Sequence, residues 1–156
     1  MTWLPHVTVA AVIHKDGKFL MVEEFSKDTD KKNVRVINQP AGHLEEDETV
    51  FQALTRETFE ETGWKVKPEA ILGIHLYKAE NEVTYLRINF LATPLHEKKH
   101  AVLDDDIIRT HWMTHEEIKA KKEILRSELV LEAVELYYSG PRYPLSLLNS
   151  TFYQKK

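Results

Sequence analysis

The sequence predicts an α/β fold in which a mixed β-sheet lies between helices, an α/β/α sandwich. Three observations carry that prediction. Apolar, β-rich runs occupy residues 6–13, 18–23, 34–38, 70–78 and 83–94. A helical pattern interrupts them at about 49–62, and two more helical patterns follow near the C-terminus. Strands on both sides of one helix, with helices after the last strand, suit a layered sheet rather than a helix bundle.

The first two runs, HVTVAAVI and KFLMVE, flank His14-Lys15-Asp16-Gly17. Asp-Gly between apolar runs predicts a tight hairpin, because both residues tolerate the positive φ that the turn needs. Residues 26–33 (SKDTDKKN) are polar, charged and aperiodic, and read as a loop. A short strand at 34–38 leads into a turn at 39–42, which delivers the chain to the first helix. The runs at 70–78 and 83–94 pair around Ala79-Glu80-Asn81-Glu82, and an acidic loop at 103–107 precedes a strand ending near Trp112 and Met113. Thr114 caps a second helix, with Glu117 as its capping-box partner. A third spans 127–139, with Leu129, Ala133, Leu136 and Tyr137 as its apolar stripe and Gly140-Pro141 as its stop. The tail from Arg142 carries Tyr143, Leu145, Leu147, Leu148 and Phe152, enough for part of it to pack.

A chain of 156 residues suits a single domain, 1–156, with a proper core. It has no Cys, which excludes disulfides and thiolate zinc sites. Residues 1–12 lack a basic segment followed by a long apolar one, and no run nears the roughly 20 apolar residues of a membrane span. A cytoplasmic enzyme, monomer or homodimer, with no membrane partner is expected. The net charge of -4 disfavours RNA as a partner. It leaves room for a polyphosphate substrate, since bound metal supplies local positive charge.

The most informative segment is GHLEEDETVFQALTRETFEETGW, residues 42–64. On a helix each residue turns about 100°, so Glu57, Glu60 and Glu61 share one face. Like charges on one stripe repel, and a hard divalent cation reverses that balance because it prefers carboxylate oxygens. Acidic stripes are usually solvated faces, but this one has company. Arg56 precedes Glu57 and sits one turn before Glu60, where it can orient carboxylates. Glu48 lies near the helix start, where dipole and unpaired N–H groups favour an anion. Gly42 opens the preceding loop and Gly63 closes the helix as a C-cap. With ordinary residue frequencies, these seven positions coincide on the order of once in 10⁸ starts. Glu57 and Glu61 are the expected metal ligands, with Glu60 a third.

That pattern, from Gly42 through Glu48, Arg56, Glu57, Glu60 and Glu61 to Gly63, resembles a complete Nudix box. Thr58 and Trp64 stand where the family usually has aliphatic residues, away from the carboxylates. The resemblance implies the Nudix α/β/α fold and Mg²⁺-dependent hydrolysis of phosphate anhydrides, with Mn²⁺ a possible substitute. It further implies that the Ala41 carbonyl joins the metal shell, that Gly42 lets the backbone approach phosphates, and that Arg56 fixes the Glu57 carboxylate. The general base is either a box glutamate or an acidic loop residue. Asp106, paired with Ile107 ahead of Trp112, is the favoured loop candidate and Asp105 the next.

The resemblance extends beyond the box. PHVTVAAVIHKDGKFLMVEE, NQPAGHLE, LRSELV and SGPRYPL are similar, in this order, to NudJ-type Nudix phosphatases. This implies release of phosphate from hydroxymethylpyrimidine pyrophosphate, thiamine pyrophosphate and nucleoside tri- and diphosphates. The alternatives are a nucleoside triphosphate pyrophosphohydrolase releasing pyrophosphate and an ADP-ribose-type pyrophosphatase. A binding module would be expected to lose box carboxylates that this chain keeps. Ile37 stands where close relatives have Trp; if that Trp stacks on substrate, its loss removes about 1–3 kcal/mol. Asn38, Gln39 and His43 are candidate contacts to phosphate or ring, and Arg126 and Arg142 to a phosphate, since a guanidinium fork suits its oxygens. Trp112 and Tyr143 are expected in the core.

Overall fold

The computed structural model describes residues 2–27 and 33–153. Most of the expected loop at 26–33, namely residues 28–32, lies outside them. The chain runs β1 (His6–Lys15), β2 (Lys18–Phe25), β3 (Arg35–Asn38), β4 (Ala41–His43), α1 (Val50–Thr62), β5 (Trp64–Lys78), β6 (Thr84–Glu97), β7 (Ile107–Met113), α2 (His115–Ala120) and α3 (Glu128–Ser139). The strands form a mixed sheet ordered β3-β2-β1-β6-β5, with β4 also on β1 and β7 also on β2. Only β1 and β6 run parallel among these pairs.

Alternation along β1 sends its side chains to two cores. Val9, Ala11 and Ile13 pack with Ile88 and Phe90 of β6 and with Ala53 and Leu54 of α1. Val12 faces the opposite side, with Met21, Leu72 and the Val130, Ala133 and Val134 stripe of α3. Helices thus cover both faces, the expected α/β/α arrangement. No helix among the described residues is long and apolar enough to cross a membrane.

The Asp16-Gly17 turn has φ of 52° and 78°, the positive pair its sequence predicts. Two strands depart from expectation. The expected turn at 39–42 contains the start of β4, whose three residues pair with β1 from Thr8 to Ala10. Strand β5 begins directly after the first helix rather than at residue 70. Pro68 and the charges around it interrupt the apolar pattern, but β5 is an edge strand, and its pairing shifts register between Pro68 and Ala70. An edge position with a bulge tolerates a residue without an N–H. The tail is tied back where Ile71 and Tyr143 exchange two backbone hydrogen bonds of 2.9 Å, and Leu145 and Leu148 pack against the α1-side core.

Helix α1 starts through a capping box that the sequence reading missed. The Thr49 hydroxyl accepts from the Gln52 N–H at 3.1 Å, and the Gln52 side chain accepts from the Thr49 N–H at 2.8 Å. Glu48 therefore does not serve the helix N–H groups. Its end is as expected: Gly63 has φ 75° and donates its N–H to Phe59 at 2.8 Å. On the core side Thr58 is fully buried, and its hydroxyl has no partner. Burying an unpaired hydroxyl costs about 1–3 kcal/mol. Thr58→Val keeps the shape and removes that cost, so urea unfolding of the variant should show a gain of about 1 kcal/mol with turnover unchanged.

Candidate active site

Helix α1 projects Glu57 and Glu61 toward the loop that precedes β7. There the Asp104 N–H donates to the Glu60 carbonyl at 3.0 Å, which docks the acidic run on the last turn of the helix. One oxygen each of Glu57, Glu61 and Asp104 lies within 4.8 Å of the others. The third carboxylate of this cluster is thus Asp104, not the expected Glu60. Glu60 is turned aside to Arg56 at 3.2 Å, and its side chain is 42% exposed.

The cluster suits a divalent cation. Glu61 is buried, and its only direct hydrogen bond among the described residues comes from the Ala41 N–H at 2.9 Å. Burial, with the charges of Glu24 and Glu57 added, pushes its pKa up to about 9. Partial burial raises Glu57 and Asp104 as well, and Glu60 adds to both. Such a group of carboxylates keeps its charge only beside a strong counter-charge.

Arg56 does what its position implies, and more. Its Nε and Nη2 grip both oxygens of Glu48 at 3.0 and 2.7 Å, its Nη1 meets Glu57 at 2.9 Å, and Nη2 donates to the His43 carbonyl at 3.0 Å. Glu48 also accepts the Glu45 N–H at 2.7 Å. The box Glu48 is therefore a brace for Arg56, and Arg56 ties the loop to the Glu57 carboxylate. Gly42 also has a task besides the expected one. A Cβ built on it would fall on the Glu57 carboxylate, so the glycine makes room for that side chain.

Asp106 sits outside the carboxylate cluster, 3.2 Å from the Lys27 ammonium. Lys27 interacts electrostatically with Glu24, Glu61 and Asp106, which places it at the edge of the same cleft. Buried Glu24 meets Arg126 at 3.7 Å and the Asn38 side chain at 3.4 Å. Burial raises the pKa of Glu24 despite Arg126 and Lys27. Asn38 also accepts the Gln39 N–H at 2.9 Å. Gln39 is buried and accepts from Arg87 at 2.6 Å. The His43 ring lies on the exposed rim, 3.3 Å from His6.

Two expectations give way here. Arg142 does not reach this cleft: its guanidinium donates to the carbonyls of Leu136, Tyr137 and Gly140, closing the C-terminus of α3. Ile37 is 3% exposed and belongs to the α3-side core. Its side chain therefore packs in the core instead of forming a wall of the cleft. Trp112 packs edge-on against Trp64 at 5.7 Å as core, whereas Tyr143 is 43% exposed and is held by its backbone. Glu24, Lys27, Arg87 and Asp104 were all missed by sequence reasoning. Only Asp104 had a signal, the acidic run, from which Asp106 and then Asp105 were drawn as candidate bases and no metal ligand was drawn.

The chain matches the family described as NUDIX domain over residues 4–133. It is 42% identical over 144 residues to Phosphatase NudJ of Shigella boydii serotype 4, covering 92% of this chain and 90% of that protein. Phosphatase NudJ of Escherichia coli strain K12 is 41% identical over the same shares. A solved NUDIX hydrolase from Nitrosomonas europaea superposes with a TM-score of 0.89 at 42% identity, covering 95% of this chain and 98% of that one. A UDP-X diphosphatase at 20% identity and TM-score 0.68, covering 88% of this chain and 63% of that one, shares the fold. With a box helix whose carboxylates converge and a family match across most of its length, this chain belongs to the Nudix family and is a hydrolase acting on phosphorus-containing anhydrides.

Proposed function

We propose that this Nudix hydrolase releases orthophosphate from hydroxymethylpyrimidine pyrophosphate, thiamine pyrophosphate and nucleoside tri- and diphosphates. It does so in the cytoplasm with Mg²⁺, for which Mn²⁺ can substitute, and residues 1–156 act as one catalytic domain. The observation that carries this reading is 41–42% identity, over 92% of the chain, to proteins named phosphatases. Nudix enzymes generally use divalent metals, and the carboxylate cluster described above fits one.

In this reading Glu57, Glu61 and Asp104 hold the metal, with the Ala41 carbonyl beside them. When bound, the metal shields the phosphoryl oxygens and makes water more acidic. Arg56 keeps Glu57 in place, and Glu60 helps to orient Arg56. Asn38, Gln39, His43 and Arg126 line the side of the cleft that receives the substrate. Asp106, steadied by Lys27, takes the proton of the attacking water as the new P–O bond forms and the anhydride P–O bond breaks.

The roles of the two acidic loop residues separate by measurement. A general base contributes about 10²–10⁴ in rate. Asp106→Asn should lower kcat by about that factor while Mn²⁺ binding, read by paramagnetic titration, stays as in the wild type. Asp104→Asn should weaken Mn²⁺ binding. An Asp106→Asn enzyme of normal rate would move the base to the box carboxylates.

The function itself is tested by assaying orthophosphate and pyrophosphate separately. The panel is thiamine pyrophosphate, hydroxymethylpyrimidine pyrophosphate, NTPs, NDPs and ADP-ribose, each with and without Mg²⁺. Orthophosphate from the pyrimidine and thiamine compounds supports the proposal. Pyrophosphate from NTPs alone, or turnover of ADP-ribose alone, keeps the family chemistry and overturns this substrate assignment.

A further inference from the structure

Strand β6 carries a buried cation with no carboxylate in contact with it among the described residues. Arg87 is 9% exposed. Its contacts are Gln39 Oε1 at 2.6 Å and Asn89 Oδ1 at 3.5 Å, both neutral. Among the described residues no carboxylate lies within 4.0 Å of it. An arginine taken out of water without an anion is expensive, and an unpaired buried polar group calls for an explanation.

The register shows which way Arg87 faces. Ile88 and Phe90, its neighbours in alternation, belong to the α1-side core. Arg87 and Asn89 therefore face the other side of the sheet, where they pair in register with His75 and Gly73 of β5 and Thr8 and Ala10 of β1. Helix α3 covers that side around Val12 and Leu72. Toward Arg87 the cover ends, and the polar residues Gln39, Asn38 and Arg126 take over.

A second observation points to a ligand in the same place. Gln39 is 1% exposed, and while its oxygen is taken by Arg87, its Nε2 has no partner among the described residues. The amide nitrogen is a donor without an acceptor among the described residues, and it lies beside a buried guanidinium that only neutral oxygens accept from. Burial lowers the pKa of Arg87, and the positive charge of Arg126 nearby lowers it further. Donors gathered about a buried cation suit an oxyanion, and a guanidinium fork suits phosphate oxygens in particular. Glu24 and Glu61 also act electrostatically on Arg87, so this polar site lies near the carboxylate cluster.

We propose that Arg87 and the Gln39 amide form the anchor for the substrate's phosphate chain, holding a phosphate group beyond the reach of the carboxylate cluster. This rests on the phosphohydrolase reading and deepens it. Enzyme and substrate bind through two separate devices, the carboxylates with their metal on one side and a metal-independent cationic pocket on the other. A substrate with two or more phosphates spans both, whereas a monophosphate satisfies one at a time.

Gln39→Glu is the discriminating variant. It puts a carboxylate opposite Arg87, which neutralises the buried cation and repels phosphate. A merely structural Gln39–Arg87 contact predicts an unchanged or higher Tm with unchanged kinetics. The anchor predicts an equal or higher Tm together with a KM for thiamine pyrophosphate or a nucleoside diphosphate raised at least tenfold, kcat changing less. The same loss should appear as a tenfold weaker Kd for methylenediphosphonate, a non-hydrolysable diphosphate, by calorimetry with EDTA present. Arg87→Lys serves as the second variant: it keeps the charge, loses the fork and should weaken the analogue at least fivefold. Wild-type KM and analogue Kd in a folded Gln39→Glu or Arg87→Lys protein overturn the anchor. If the wild type turns over no diphosphate while the variants still lose the analogue, the functional reading falls and the anchor stands.

Discussion

Glu61→Gln should abolish turnover, by at least 10³-fold, while making the metal-free protein more stable. The first half follows if Glu61, in the carboxylate cluster, holds the metal as proposed, because a neutral amide holds a divalent cation poorly. The second follows from linkage. Burial pushes Glu61 up to about 9 from an ordinary carboxylate value of 4.5. Between those values the folded chain keeps a proton that the unfolded chain has released, so stability falls as pH rises through pH 4.5 to 9. The slope approaches about 1.4 kcal/mol per pH unit at its steepest. Gln cannot titrate, and its oxygen can still accept the Ala41 N–H. Urea unfolding in EDTA at pH 5 and pH 8 should therefore show a gap between variant and wild type that widens with pH, reaching a few kcal/mol. Adding Mn²⁺ should stabilise the wild type at pH 8 and leave the variant nearly unmoved. A variant with wild-type turnover would remove Glu61 from the metal site.

Gly42→Ala should cost on the order of 10²-fold in kcat with little loss of stability. The backbone at Gly42 is not in the left-handed region, as it is at Gly17 and Gly63, so alanine meets no conformational penalty. Its Cβ would instead occupy the place of the Glu57 carboxylate. To make room, Glu57 must leave Arg56, its partner at 2.9 Å, and swing out of the cluster with Glu61 and Asp104. Misplacing one functional group by about 1 Å is enough for such a loss. Weakened Mn²⁺ binding with an unchanged Tm would be the signature. Normal kcat in Gly42→Ala would show that the Glu57 carboxylate works equally well elsewhere. That would undo its place among the metal ligands.

The sequence by itself determined the elements whose geometry is local. A helix rotates about 100° per residue wherever it sits, so Glu57 and Glu61 share a face before any tertiary contact forms. Asp16-Gly17 turns the first hairpin and Gly63 ends α1 because positive φ is a property of those residues. Arg56 reaches Glu57 and Glu60 because they lie one and four positions along. The tertiary structure decided whatever depends on distant segments meeting. Asp104 rather than Glu60 completes the cluster because the loop before β7 docks on the Glu60 carbonyl, an orientation absent from the run Asp104-Asp105-Asp106 itself. Ile37 is buried in the α3-side core because β3 pairs with β2 across the sheet. Arg142 was drawn to the carbonyls of α3 by a chain reversal at Gly140-Pro141. Arg87 stands 48 residues from Gln39, one on a central strand and the other beyond β3. Only the folding of the sheet brings those donors to one cleft, because hydrogen bonding across a sheet joins residues by strand order and register rather than by separation along the chain.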